Sequence, residues 1–159
     1  MFYKLRYLGD PILYQISNQV LNYHNLENLI ENMFKIMNKY HGVGLAANQI
    51  GVDKRIFTYK YNSESNYFIN PEIISKSNKL QNSSEGCLSI PSLYSNINRP
   101  DNLTIKGYDL TGKEKIKEAN GFLARIFSHE LDHLNGTLYI DKLDLEKRYN
   151  IIKKYKANN

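Results

Sequence analysis

The chain has 159 residues, 42% of them apolar and 23% charged, with one cysteine and a formal net charge of +5. That length can close a hydrophobic core, and a single domain over residues 1–159 is expected. A lone thiol excludes a disulfide-stapled secreted scaffold, and no apolar run approaches the roughly 20 residues that span a bilayer.

The opening stretch Met1-Phe2-Tyr3-Lys4-Leu5-Arg6 leads into no signal-peptide core. A reducing, cytoplasmic setting is expected, with a processed organellar form as the alternative. Gly9-Asp10-Pro11 is a turn signal. Between Asn25 and Tyr40, Leu26, Leu29, Ile30, Met33, Ile36, Met37 and Tyr40 recur at helical spacing, and Gly42 follows as a stop. Short strands are predicted at residues 55–59 and 67–69, with Asn70-Pro71 as a break. Leu103-Thr104-Ile105 and Ile116 flank Asp109-Leu110-Thr111-Gly112 as a β-hairpin. A second helix is predicted from a cap at Asn120 to Leu134, closed by Asn135-Gly136. The last begins near Asp144 with Leu145, Tyr149 and Ile152 on one side. Strands fill the middle and helices the ends. The expected class is α+β, with short, mostly antiparallel strands packed around the second helix as the central one and a C-terminal helix.

His129-Glu130-Leu131-Asp132-His133 lies inside the second helical pattern and uses two of the chain's four histidines. A four-residue step is about one helical turn, so both imidazoles leave one face and can share a metal ion. Glu130 is poorly placed as a third ligand and well placed to handle a proton of a water molecule. Zinc proteases with this run take a further ligand downstream. Here no histidine follows His133, and the next carboxylates lie beyond Gly136.

Upstream, Glu85-Gly86-Cys87-Leu88-Ser89-Ile90-Pro91 holds the only thiol. A buried cysteine is commonly a small hydrophobe. As a ligand, Cys87 would complete three protein donors and leave a fourth position open, which is a catalytic arrangement. Gly42-Val43-Gly44-Leu45-Ala46-Ala47-Asn48-Gln49 permits close backbone packing and ends in an amide donor. By itself it reads equally well as a helix stop followed by a strand.

Taken in order, Gly42 to Gln49, Glu85 to Ser89 and His129 to His133 resemble the three signature motifs of peptide deformylases, of the bacterial and organellar type without large insertions. The likeness covers nearly the whole chain. It implies a hydrolase that removes the N-formyl group from the initiator methionine of nascent peptides and releases formate. It implies Cys87, His129 and His133 as ligands of one divalent ion, iron(II) by expectation, with zinc, nickel or cobalt as substitutes. Glu130 would move the proton, while the Gln49 side chain and the Leu88 N–H would hold the oxyanion. Val43-Gly44 and Glu85-Gly86 would bind an extended peptide. Phe122 and Ile126, on the same helical stripe as His129, would form the methionine pocket with Val43; the alternative is that both are ordinary core. Arg99 and Asp132 would form a supporting ion pair.

Three positions depart from the family pattern. Ser128 stands where glutamine is usual, Ser92 where glycine is frequent, and Tyr94 where relatives can have arginine. The C-terminal basic cluster Lys142, Lys147, Arg148, Lys153, Lys154 and Lys156 is either a solvated face or a contact for an anionic surface such as ribosomal RNA. Expected partners are N-formylmethionyl peptides and the ribosome surface; neither a membrane nor DNA is expected. The rival readings are a metalloendopeptidase, which would cut internal amides, and a non-catalytic domain with a structural metal. Neither a structural metal nor a decayed enzyme needs Glu130 and Gln49.

Overall fold

A computed structural model of the chain describes residues 3–158. Met1 and Phe2, at the head of the stretch read above for a leader, lie outside the described residues. After a 3₁₀ turn at Pro11–Tyr14 come α1 (Glu27–Lys39), β1 (Gly44–Ala46), a second 3₁₀ turn (Ala47–Ile50), β2 (Ile56–Tyr61) and β3 (Glu64–Lys76). There follow β4 (Leu80–Cys87), β5 (Ile90–Pro100), β6 (Asn102–Tyr108), β7 (Glu114–Asn120), α2 (Gly121–Leu134), a third 3₁₀ turn (Tyr139–Lys142) and α3 (Leu145–Asn158). The class is α+β with antiparallel strands, and no described helix is long and apolar enough to cross a membrane.

Five strands form one sheet in the order β1-β2-β3-β6-β7, and β4-β5 form a separate hairpin. Alternation along the strands sends residues to opposite faces of the larger sheet. Leu45, Ile56 and Ile69 meet Leu29, Ile30, Met33 and Met37 of α1. Ala46, Phe57, Tyr59 and Phe68 meet Ile126, Phe127, Leu131 and Leu134 of α2. A third cluster joins β5 to the C-terminal region through Ile90, Ile97, Tyr139, Ile140 and Ile151. Helix α2 is buried over most of its surface, its polar residues as well as its apolar ones.

Four readings of the sequence are corrected. Asn70-Pro71 does not break the strand; β3 runs through it with a register shift between Ile69 and Glu72. Asn70 adopts φ 49°, and its side chain exchanges hydrogen bonds with the Val20 N–H and C=O at 2.8 and 2.9 Å. Those bonds compensate for the interrupted ladder. Helix α1 starts at Glu27, because Asn25 sits at φ 62°, outside helical space. Asn120 occupies the cap position of α2 without a capping side-chain bond. In α3 the inward residue is Ile151, with Ile152 and Tyr155 packed beside it, whereas Leu145 and Tyr149 are exposed. The hairpin around Asp109 is as read: its Oδ1 accepts from the Thr111 and Lys113 N–H groups at 2.8 and 3.0 Å.

Candidate active site and metal centre

On α2 the apolar face is held by the larger sheet, so the opposite face must bury polar groups, which costs stability unless they are paired. That face carries Arg125, His129, Asp132 and His133, and it meets the β4–β5 hairpin. Cys87 ends β4 immediately before the Leu88-Ser89 turn. One ligand atom from each of Cys87, His129 and His133 lies within 4.8 Å of the others. Cys87 Sγ is 3.1 Å from His133 Nε2, which is 3.2 Å from His129 Nε2. Two nitrogens bound to one tetrahedral ion at its usual bond length are about 3.3 Å apart, so the spacing suits a shared cation.

The hydrogen bonding of the ring is compatible with a ligand role. His129 Nδ1 lies 3.0 Å from Glu85 Oε2, an acceptor only, so in the neutral ring Nδ1 donates and Nε2 carries a lone pair. A lone pair on His129 and a soft sulfur then converge on one point. Burial pushes the Cys87 thiol up, but with the rings protonated the charge of His133, the hydrogen bonds from both histidines and the charge of His129 hold it well below the ordinary thiol range.

Glu85 anchors this arrangement. Its Oε1 accepts from Arg99 Nε at 2.8 Å and Arg125 Nη1 at 2.7 Å, and its Oε2 also accepts from Arg99 Nη2 at 2.9 Å. Burial alone would raise its pKa; the hydrogen bonds from Arg99 and His129 and their charges outweigh that and hold it at about 2. Arg99 also donates to Asp132 Oδ2 at 2.5 Å, so the ion pair read from the sequence is present. Lys142 Nζ reaches the same oxygen at 3.1 Å, which takes it out of the free basic tail.

Glu130 is 4% exposed, and its Oε2 has no hydrogen-bond partner among the described residues. Burial pushes its carboxyl up to about 7, with the charges of His129 and His133 opposing. A group of that pKa can take up and release a proton near neutrality. Gly44 makes room for it: a Cβ there would collide with the Glu130 carboxylate. Gln49 is equally fixed. The Ala46 N–H donates to its Oε1 at 2.9 Å, and its Nε2 donates to Ser89 Oγ at 3.1 Å and lies 3.5 Å from Cys87 Sγ.

Gln49, Glu85, Cys87, His129 and Glu130 line a cleft of about 540 Å³ between the Gly42–Gly44 stretch and the Ser84–Leu88 stretch. Leu88, Glu85 and Gly86 are on one wall and Val43 and Gly44 on the other; Phe122 and Ile126 also line it. Ile126 answers to both readings, being 3% exposed within the core under the sheet. Phe122 (53% exposed) and Val43 (43% exposed) stand at the mouth.

Two participants escaped the sequence reading. Arg125 carried a signal, an arginine one turn before His129, but nothing local shows that Glu85 lies opposite. Ser89 was quoted only as part of a motif. Of the departures, Ser128 Oγ bonds back to Ala124 O at 2.8 Å, Ser92 adopts φ 62°, and the Tyr94 ring lies over Gly86, where a Cβ would strike it.

The chain matches the family model described as "Polypeptide deformylase" over residues 2–149. It is 42% identical over 153 residues to a peptide deformylase of Carboxydothermus hydrogenoformans, covering 96% of this chain and 97% of that one. It is 37% identical over 155 residues to that of Treponema pallidum strain Nichols, covering 97% and 96%. The crystal structure of a Legionella pneumophila peptide deformylase superposes with a TM-score of 0.93 at 36% identity, over 99% of this chain and 95% of that one. A Synechococcus elongatus peptide deformylase in complex with actinonin superposes with a TM-score of 0.92 at 33% identity, over 97% and 86%. A likeness that runs the length of both chains and brings the three motifs around one cleft identifies the protein: it belongs to the polypeptide deformylases, metal-dependent hydrolases that remove N-formyl groups from nascent peptides.

Proposed function

We propose that the deformylation performed by this enzyme is carried by Cys87, His129, His133, Glu130, Gln49 and Leu88, and that residues 1–159 form one catalytic domain. The observation that carries the reading is the convergence of the thiol and two imidazoles beside a buried Glu130 that lines the cleft and whose Oε2 has no hydrogen-bond partner among the described residues. The substrate is an N-formylmethionyl peptide. Among the described residues β1 pairs with β2 alone and β4 with β5 alone, and Gly44 of β1 and Glu85-Gly86 of β4 line the cleft. An extended peptide between them can add main-chain hydrogen bonds at Val43-Gly44 and Glu85-Gly86. Its methionine side chain fits against Val43, Phe122 and Ile126.

A divalent ion held by Cys87, His129 and His133 supplies Lewis acidity toward the formyl oxygen and toward water. Glu130 takes a proton from the attacking water and delivers it to the departing amine nitrogen. The C–N bond breaks, giving formate and a free amino terminus. The Gln49 amide and the Leu88 N–H donate to the oxygen on which negative charge develops. Ser89 holds one side of that amide, which keeps its donor on the Cys87 side of the site.

We further propose iron(II) as the native ion, although a thiolate with two imidazoles accepts zinc, nickel or cobalt as well, and a cytoplasmic, reducing setting that keeps Cys87 reduced. Actinonin is expected to bind in this cleft, as it binds the S. elongatus relative. For the ribosome surface, Lys153, Lys154 and Lys156 are the available charges on α3, because Lys147 and Arg148 pair with Asp144 and Asp141 at 2.8 Å.

The test is anaerobic purification, metal analysis and formate release. One ion per chain and turnover of a formyl-Met peptide, with little on free formyl-methionine, are expected. Cleavage of internal amides instead would favour the endopeptidase reading. Equal efficiency on both formyl substrates would remove the extended cleft from the account.

A further inference from the structure

Arg125 is 3% exposed and lies on α2 one turn before His129, so both side chains leave the helix on the same face. Its guanidinium spans both strands of the facing hairpin. Nη1 donates to Ser83 O at 3.0 Å and Glu85 Oε1 at 2.7 Å on β4. Nη2 donates to Gln81 O on β4, and both terminal nitrogens reach Ile97 O on β5, all at 3.3 Å. The two halves of the ligand set sit on these same two elements: Cys87 ends β4, and His129 and His133 are on α2.

The division of Glu85 between its arginines shows what Arg125 adds. Arg99 is on β5, in the same hairpin as Glu85, so its two-point grip orients the carboxylate within that hairpin. Arg125 grips the same carboxylate from the helix and occupies Oε1, which leaves Oε2 facing His129 Nδ1. We propose that Arg125 is a positioning residue for the metal centre: it fastens the β4–β5 hairpin to α2, and thereby sets Cys87 against His129 and His133 and Glu85 against the His129 ring. This rests on the Cys87, His129 and His133 reading above. A lysine cannot substitute, because one ammonium is a point charge and cannot hold two strands with a planar fork.

The test compares wild-type protein with Arg125→Met, Arg125→Lys and Leu123→Ala, each freed of metal and titrated with Co²⁺ against a chelator well below its unfolding midpoint. Leu123 is 5% exposed on the same helix but packs in the core under the sheet, so its variant controls for general destabilisation. Wild type should bind one Co²⁺ with thiolate-to-cobalt charge-transfer absorption. Both Arg125 variants should bind about 10- to 100-fold more weakly, the range found for residues that orient metal ligands, with that absorption shifted or weakened. Leu123→Ala should lose thermal stability and keep the wild-type affinity and spectrum. Arg125 variants that lose stability yet bind like wild type would overturn the proposal, as would an equal loss of affinity in Leu123→Ala. If the methionine variant does not fold, wild-type binding by Arg125→Lys would do so alone. A wild-type protein without the cobalt–thiolate band would instead overturn the metal reading itself.

Discussion

Glu130 separates metal holding from chemistry. Its carboxylate is buried and faces the cleft, while the ligand atoms belong to its neighbours. Glu130→Gln keeps the size of the side chain and cannot accept a proton, so metal content should stay at the wild-type level. Turnover should fall by about 10²- to 10⁴-fold, mainly in kcat. Formate release by the metal-replete variant checks this, and near-normal turnover would sink the assigned role. Cys87→Ser tests the ligand set, because a hydroxyl is a far poorer partner for a soft site. Metal analysis should show reduced occupancy or altered ion preference; wild-type occupancy with wild-type activity would remove Cys87 from the centre.

Among the elements, the β4–β5 hairpin carries a visible strain. Its register jumps between Gly86↔Tyr94 and Cys87↔Ile90, so Pro91, Ser92 and Leu93 are accommodated beside the turn. Ser92 takes φ 62°, a left-handed conformation that an L side chain adopts at a cost and glycine adopts freely. Ser92→Gly should therefore stabilise the protein by about 0.5 to 1 kcal/mol, part of the relief being offset by the looser unfolded chain. For a chain of this length that is roughly a 1–4 °C rise in melting temperature. A calorimetric midpoint unchanged or lowered would show that the strain is relieved by contacts of the serine itself.

On the scale of the whole molecule, the core between sheet and α2 should contribute to the alkaline limit. Tyr59 is 3% exposed, among Phe57, Phe68 and Phe127. Burial, with a smaller contribution from the charge of Glu64, pushes its pKa from 10.0 up to about 12. The folded pKa is raised, so the unfolded chain loses this proton first as the pH climbs. The stabilisation is whole below pH 10 and is lost between pH 10 and about 12. A difference of that size corresponds to about 3 kcal/mol, an order-of-magnitude figure. Urea unfolding at pH 8 and pH 11 should show wild type losing more stability than Tyr59→Phe, and equal losses would place the alkaline limit elsewhere.

What the sequence determined by itself was local or periodic. The one-turn spacing of His129 and His133 survives in any helix, and α1, α2 and the Asp109 turn are written in short-range pattern and side-chain chemistry. The order of three short motifs was enough to show the family, because each carries residue types that chemistry demands. Tertiary structure decided the rest. β4 is polar and has no β-branched residue, so no local preference marked it as the strand that brings Cys87 to the histidines. The inward face of α3 fell on Ile151 because its partners, Ile90, Ile97 and Tyr139, are distant in sequence. Glu85 read as a residue of a motif wall and proved to be the shared acceptor of Arg99, Arg125 and His129. A buried charge is tolerable only where several donors converge on it, and that convergence exists only once the hairpin has docked on the helix.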